Sequence, residues 1–211
     1  MFDSIPILSP LQARVLGTLV EKQRTVPDTY PLSLNTLTAG CNQKTSRNPV
    51  MEVSEAEILQ ALDGLKELGL VSEASGSRVV RFAHHFEKAF GVPTQASALL
   101  TVLLLRGPQT AGELRLNCER LHKFADISSV EAFLEELAEH NAGGLVVEMP
   151  RLPGARENRW MHLLGGPVVM EMAGKVAVAT PPALEALQSR VDALESEVAS
   201  LRGMLEELLG R

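Results

Sequence analysis

Apolar residues in the first stretch of the chain recur at Leu11, Val15, Leu16, Leu19 and Val20, a period that predicts an amphipathic helix. Ser9 and Pro10 stand where such a helix would begin. A serine hydroxyl can accept from the orphan N–H groups of a first turn, and proline at the first position gives up an N–H that has no partner there. The loop Thr25-Val26-Pro27-Asp28-Thr29-Tyr30-Pro31 ends the helix, and Ser33 opens a short second one carrying Leu34 and Leu37 and closing near Gly40. A polar run from Asn42 to Pro49 follows. Ser54 with Glu57 forms a capping box ahead of a third helix, with Ile58, Leu59, Leu62, Leu65 and Leu68 along one face and Gly69 as its stop. Leu70-Val71, the turn Ser75-Gly76-Ser77 and Val79-Val80-Arg81-Phe82 predict a β-hairpin.

The same pattern then returns. Thr94 to Arg106 is an apolar helix broken by Gly107-Pro108. Thr110 with Glu113 caps a helix bearing Leu114 and Leu116. Ser128 with Glu131 caps another bearing Val130, Phe133, Leu134 and Leu137, which Asn141-Ala142-Gly143-Gly144 ends. Leu145 to Met149 and Trp160 to Leu164 pair as a second hairpin across a Pro/Gly/Arg loop. Three helices and a hairpin, twice over, is the winged-helix order. The expected fold is therefore mainly α with small β-wings: one winged-helix domain over 1–92, a second over 93–164, and Ala83–Pro93 as the link. Residues 165–180 stay open between a strand pair (Val168–Met172 with Lys175–Val178) and a linker. Over 181–211, Leu184, Leu187, Val191, Leu194, Val198, Leu201, Leu205 and Leu208 are spaced alternately three and four, an a/d heptad series that predicts a parallel two-stranded coiled coil and hence a homodimer.

Composition narrows the function classes. The chain has 211 residues, 45% of them hydrophobic, and a net charge of -6, so it is not a strongly basic nucleic-acid binder taken whole, although a local basic patch is allowed. Its two cysteines, Cys41 and Cys118, support neither a disulfide framework nor a zinc finger and suit a reducing cytosol. The opening residues lack the basic and apolar regions of a signal peptide, and the most apolar run, Ala98–Leu105, is too short to span a bilayer. A cytoplasmic protein with no membrane partner is expected.

Two stretches carry a resemblance. The run from Thr25 to Asn35, continuing through Cys41-Asn42-Gln43-Lys44-Thr45-Ser46-Arg47-Asn48-Pro49-Val50, resembles the signature of the YceH-like family of bacterial proteins. Arg151-Leu152-Pro153-Gly154-Ala155-Arg156-Glu157-Asn158-Arg159-Trp160-Met161-His162-Leu163 is similar to that family's later motif, with Trp160 where tyrosine is expected. The resemblance covers both globular units and implies a tandem winged-helix fold. It implies no activity.

Function therefore rests on the residues. In a helix-turn-helix module the third helix reads DNA, and its outward side chains should be donors to phosphates and base edges. Here they are Glu55, Glu57, Gln60 and Asp63 in the first unit and Glu131, Glu135, Glu136 and Glu139 in the second, carboxylates that repel phosphate. Positive charge lies in loops and wings instead: Lys44 and Arg47 before the third helix, Arg78 and Arg81 in the first wing, Arg151, Arg156 and Arg159 in the second. Those seven are the candidate nucleic-acid contacts. The competing reading is that they pair with acids such as Glu148 and Glu157. The five histidines show no metal-ligand spacing, and no glycine loop could cradle a phosphate, so neither a metal, a cofactor nor an enzyme is expected. Two readings remain: a DNA-associated transcription regulator touching nucleic acid through wings and loop, and a protein–protein adaptor using its acidic helix faces.

Overall fold

The computed structural model describes residues 5–74, 79–141, 143–151, 154–166, 168–171 and 175–178, with Arg190 and Val198. Ser9 caps the first helix, α1 (Pro10–Thr25). Its hydroxyl accepts from the Gln12 N–H at 3.1 Å while the Gln12 side chain returns to the Ser9 N–H at 2.8 Å. A 3-10 turn (Pro27–Thr29) leads to a two-residue strand β1 (Leu32–Ser33), and the Ser33 side chain caps α2 (Leu34–Cys41). The Ser54–Glu57 box opens α3 (Glu55–Glu67), which ends at Gly69 in the left-handed conformation, φ +68°, where a residue without Cβ is free to sit. Strands β2 (Val71–Ala74) and β3 (Arg81–His84) complete the first copy of the pattern.

The second copy begins at α5 (Thr94–Arg106). It continues through α6 (Ala111–Asn117), capped by the Thr110–Glu113 box, and α7 (Ile127–Ala138) to strands β4 (Val146–Met149) and β5 (Arg159–His162). Its sheet is two-stranded where the first is three-stranded, with one isolated bridge in place of the third strand. In the first, β3 lies between β1 and β2, all antiparallel. In the second, β5 pairs with β4 and on its other edge meets Gln109, which exchanges two backbone hydrogen bonds with Trp160 and so stands where β1 stands. Equivalent residues recur at equivalent places: Pro31 and Pro108, Leu37 and Leu114, Cys41 and Cys118, Ile58 and Val130, Leu62 and Leu134, Phe82 and Trp160, His84 and His162, all but the prolines and His162 buried.

Several expectations need correcting. The cap of α7 is Asp126 with Ser129, not Ser128 with Glu131; the Asp126 carboxylate accepts from the Ser129 N–H at 2.7 Å, a stronger acceptor than a hydroxyl. The second strand of the first hairpin starts at Arg81, so Val79 and Val80 precede it. The stretch 83–93 is not a bare link. It holds a five-residue helix α4 (Phe86–Phe90), whose two phenylalanines stack with ring centroids 4.8 Å apart and are both buried. Leu59, expected on the apolar face of α3, is 41% exposed, and Leu116 of α6 is 69% exposed.

One continuous apolar cluster runs through both copies, with no gap at the 92/93 join. Helix α1 packs on α2, α3 and α5. Gly17 lets α5 come close: a Cβ there would lie 3.1 Å from the Leu105 side chain. The chain divides into two compact units, Met1–Gly166 and Pro167–Arg211. In the second, β6 (Val168–Glu171) and β7 (Lys175–Val178) pair antiparallel, so the open segment holds a strand pair. Of the heptad positions only Val198 is described, helical and 47% exposed; Leu184, Leu187, Val191, Leu194, Leu201, Leu205 and Leu208 lie outside the described residues. Among the described residues no helix is long and apolar enough to cross a membrane.

The two equivalent histidines make folding pH-dependent. His84 bonds Gln23 at 2.8 Å and accepts from the Phe86 N–H; burial, then the charges of Arg24 and His85, push its imidazole down to about 4. His162 is half-buried as a residue, but its Nδ1 is enclosed with no hydrogen-bond partner among the described residues, and that desolvation takes its imidazole down to about 4 as well. An unfolded histidine titrates near 6.5, so below that pH the unfolded chain takes up protons that the folded one refuses. Stability should be full above about pH 6.5 and fall as the pH drops toward 4, by up to about 3 kcal/mol per histidine. Thermal melts across this range should show a shallower fall for the His84→Gln/His162→Gln double variant. A wild-type Tm unchanged down to about pH 4.5 contradicts the assignment.

Candidate nucleic-acid interface

The six described candidate cations do not form one surface. Arg47 is the clearest case: its side chain is fully buried. The polar run Asn42–Pro49 folds back against α1 and α5 and carries Arg47 inward with it. Its guanidinium grips Glu21 of α1 with both ends, at 3.1 and 2.6 Å, and also donates to the Gly40 carbonyl, the Ser46 carbonyl and Gln43. Burial alone would raise the Glu21 carboxyl, but hydrogen bonds and charge from Arg47, then Lys22, outweigh it and hold Glu21 below the usual carboxylate value. A second buried arginine, Arg14, donates to the Cys41 carbonyl at 3.1 Å and the Pro49 carbonyl at 2.6 Å. Gly40 and Cys41 are the last residues of α2, whose terminal carbonyls have no helical partner. The two guanidinium groups supply those partners and complement the negative end of the helix dipole.

The rest of the run is equally engaged. The Asn42 side chain brackets the Val53 backbone, accepting its N–H at 2.9 Å and donating to its carbonyl at 2.8 Å. The Asn48 N–H donates to the Leu105 carbonyl and its side chain to the Arg106 carbonyl, tying the loop to the end of α5. Lys44 is exposed, the one member of the Lys44/Arg47 pair free to meet a ligand.

The wing arginines are divided in the same way. Arg81 donates to the Thr29 and Pro31 carbonyls at 3.2 and 2.8 Å; Arg159, at the equivalent place, donates to the Pro108 carbonyl at 2.8 Å and pairs with Glu113 at 3.1 Å. Each clasps its wing to the start of the second helix. The Tyr30 hydroxyl does similar work in the first copy, accepting the His84 N–H at 2.7 Å, and burial pushes its own pKa up to about 12. Arg78 lies outside the described residues. Arg151 and Arg156 are exposed, but they share a groove of about 290 Å³ with Glu131, Glu148 and Glu157 over a floor that includes Ile127 and Trp160. Asn158 links two of them, donating to Glu148 at 2.8 Å and accepting from Arg151 at 3.4 Å. The outward faces of both third helices are as the spacing predicts: Glu55, Glu57, Gln60 and Asp63 on α3, and Glu131, Glu135, Glu136 and Glu139 on α7, are all exposed.

Burial pushes the thiols of Cys41 and Cys118 up to about 11 and 12, so both stay protonated at neutral pH. Sequence reasoning missed Arg14 and Glu21. The available signal was a polar stripe on an apolar helix: Arg14, Thr18 and Glu21 fall on one face of α1, toward the end of α2.

Removing one partner of a buried, hydrogen-bonded ion pair strands the other. Arg47→Ala should cost about 3–5 kcal/mol in urea unfolding. Lys44→Ala should stay within about 0.5 kcal/mol. Equal, small losses for both would contradict an inward role for Arg47.

Comparison with known proteins places the chain. The family model described as "Protein of unknown function, DUF480" matches residues 8–155. A UPF0502 protein of Dechloromonas aromatica is 71% identical over 209 residues, covering 98% of both chains. A UPF0502 protein of Burkholderia thailandensis is 63% identical over 207 residues, covering 96% of this chain and 88% of its own. The resemblance carried by the Thr25–Val50 and Arg151–Leu163 motifs agrees with these matches, and the chain belongs to the DUF480 family of UPF0502 proteins.

Proposed function

We propose that this protein is a non-enzymatic, cytoplasmic adaptor built from two winged-helix modules, which binds a basic protein segment through the acidic face of α7 and dimerises through its C-terminal heptads. The module reading rests on the repeated order of three helices and a hairpin and on the Gln109–Trp160 bridge, which stands where β1 meets β3 in the first copy. The observation that carries the adaptor reading is the exposed face of α7, a helix that bears Glu131, Glu135 and Glu136 and no lysine or arginine, whereas on α3 Lys66 pairs with Asp63 at 2.8 Å. A polyanion is repelled there, whereas a lysine- or arginine-rich surface is attracted. The adjoining groove adds apolar contact through Ile127, 45% exposed at the start of α7. Winged helices serve both DNA and protein recognition, so the fold alone does not choose between them.

Dimerisation is supported by the heptad spacing and by the exposure of Val198, an a position, in the single chain. With Leu184, Val191, Val198 and Leu205 at a and Leu187, Leu194, Leu201 and Leu208 at d, two parallel strands are favoured. Sedimentation equilibrium should give a dimer, and Leu194→Glu with Leu201→Glu should give a folded monomer. A monomeric wild type at tens of micromolar overturns this part.

A second reading keeps DNA as the partner. It is favoured by Lys44, Arg151 and Arg156, the three candidate cations that are exposed and form no ion pair among the described residues. The two readings separate cleanly. Lysine at Glu131, Glu135, Glu136 and Glu139 should abolish co-purification of the partner from a bacterial lysate and leave circular dichroism unchanged. An unchanged pull-down removes the adaptor. Salt-sensitive duplex binding that Arg151→Ala with Arg156→Ala weakens would establish the alternative.

A further inference from the structure

A second concave site lies between the two copies, away from the acidic helix faces. It is a cleft of about 150 Å³ walled by the ends of α1, α5 and α6 and by the polar run after α2. A single water needs roughly 10–15 Å³ of such space, so the cleft has room for a small polar ligand. Three cations line it: Lys22 from α1, Arg106 at the end of α5, and Arg120 beyond the end of α6. Among the described residues its one lining carboxylate is Glu21, which Arg47 holds at both oxygens and which also pairs with Lys22 at 3.5 Å. The hydroxyls of Thr45 and Ser46 are at its rim.

We propose that this cleft binds the phosphoryl group of a small phosphorylated molecule, with Arg106 and Arg120 as the guanidinium fork and Lys22 as the point charge. The alternative is that the cations merely offset the negative ends of three helices, each equivalent to about half a charge. The hydrogen bonds argue against it. Arg106 donates to the Ser46 hydroxyl at 2.7 Å, and Lys22 to the Gln43 side chain at 3.3 Å, neither of them to a terminal carbonyl. Arg120 is exposed and has no hydrogen-bond or ion-pair partner among the described residues. The positive charge in the cleft is thus in excess of what its walls neutralise. The Ser46 hydroxyl that meets Arg106 is presented by a left-handed backbone, φ +59°, a conformation uncommon outside glycine. Planar guanidinium groups match phosphate geometry with paired donors. The cations come from both copies, so an occupant would tie the two modules together.

The test is calorimetric titration of the full-length chain with inorganic phosphate at constant ionic strength, alongside a short DNA duplex. Wild type should saturate with phosphate at millimolar concentration or below, and Tm should rise by about 5 °C at a hundredfold excess over Kd. Arg120→Ala, which removes no contact the fold uses, should weaken phosphate at least tenfold. Lys123→Ala, an exposed lysine outside the cleft lining, should leave it unchanged. No saturation by tens of millimolar phosphate overturns the proposal, as does equal affinity in Arg120→Ala. Binding of the duplex in preference to phosphate assigns the cations to a nucleic-acid backbone and overturns the small-ligand assignment.

Discussion

The pair of buried guanidinium groups at the end of α2 is the constraint on which the rest depends. A helix of eight residues leaves its last carbonyls without partners, and this end faces the protein interior. Arg14 and Arg47 satisfy the Cys41 and Gly40 carbonyls, Glu21 balances Arg47, and the chain from Asn42 to Pro49 must follow the one path that delivers Arg47 to that point. Along that path Asn48 reaches α5 and Ser46 reaches Arg106. A buried ion pair roughly breaks even against an apolar replacement of the same shape, because desolvation offsets the attraction. Its contribution is to the uniqueness of the loop. An apolar plug would fill the space and leave the path of the polar run unspecified.

The two copies meet the same demand differently. At the end of α6 no arginine turns inward. The Cys118 N–H bonds the Leu114 and Leu116 carbonyls, and the N–H groups of Leu121 and His122 return to the Cys118 carbonyl, so a backbone turn closes the helix. The loop that follows is left free to expose Arg120 and Lys123. The first copy draws its loop cation inward to fasten the two copies together, and the second leaves its cations outside. At the junction Arg106 and Arg120 of the second copy thus stand with Lys22, Thr45 and Ser46 of the first. The wing clasp, by contrast, is shared: Arg81 on Pro31 and Arg159 on Pro108 hold each hairpin to its own second helix.

What was legible in the sequence was local. Ser9, Ser33, Ser54 and Thr110 cap the helices they precede because capping needs only residues within one turn, and the apolar period marked α1, α3, α5 and α7 for the same reason. The α7 cap was misread by two residues because Asp126–Ser129 and Ser128–Glu131 overlap and both satisfy the pattern; the carboxylate prevails as the stronger acceptor. The roles of the cations were not legible. Arg47 meets Glu21, and Arg81 meets Pro31, across stretches of chain that only the tertiary fold closes. An arginine between polar residues reads as solvated unless an inward polar stripe such as Arg14-Thr18-Glu21 is recognised as its counterpart. The α4 helix was hidden in the same way, since five residues are too few to show a period.

The fate of the cations decides how the surface acts on a partner. Candidate arginines that turn inward or clasp a wing leave the outward face of α7 to carboxylates, while on α3 Lys66 pairs with Asp63, and beside α7 Arg151 and Arg156 share a groove with Glu131. A nucleic-acid duplex approaching either helix head-on therefore meets repulsion. The range of that repulsion is set by the Debye length, about 8 Å at physiological salt. The junction cations Lys22, Arg106 and Arg120 line a different cleft from the one beside α7, which allows one molecule to carry two surfaces of opposite preference. The apolar and acidic character of α7 with its groove suits a basic chain segment, while the cation-rich junction suits a small anion.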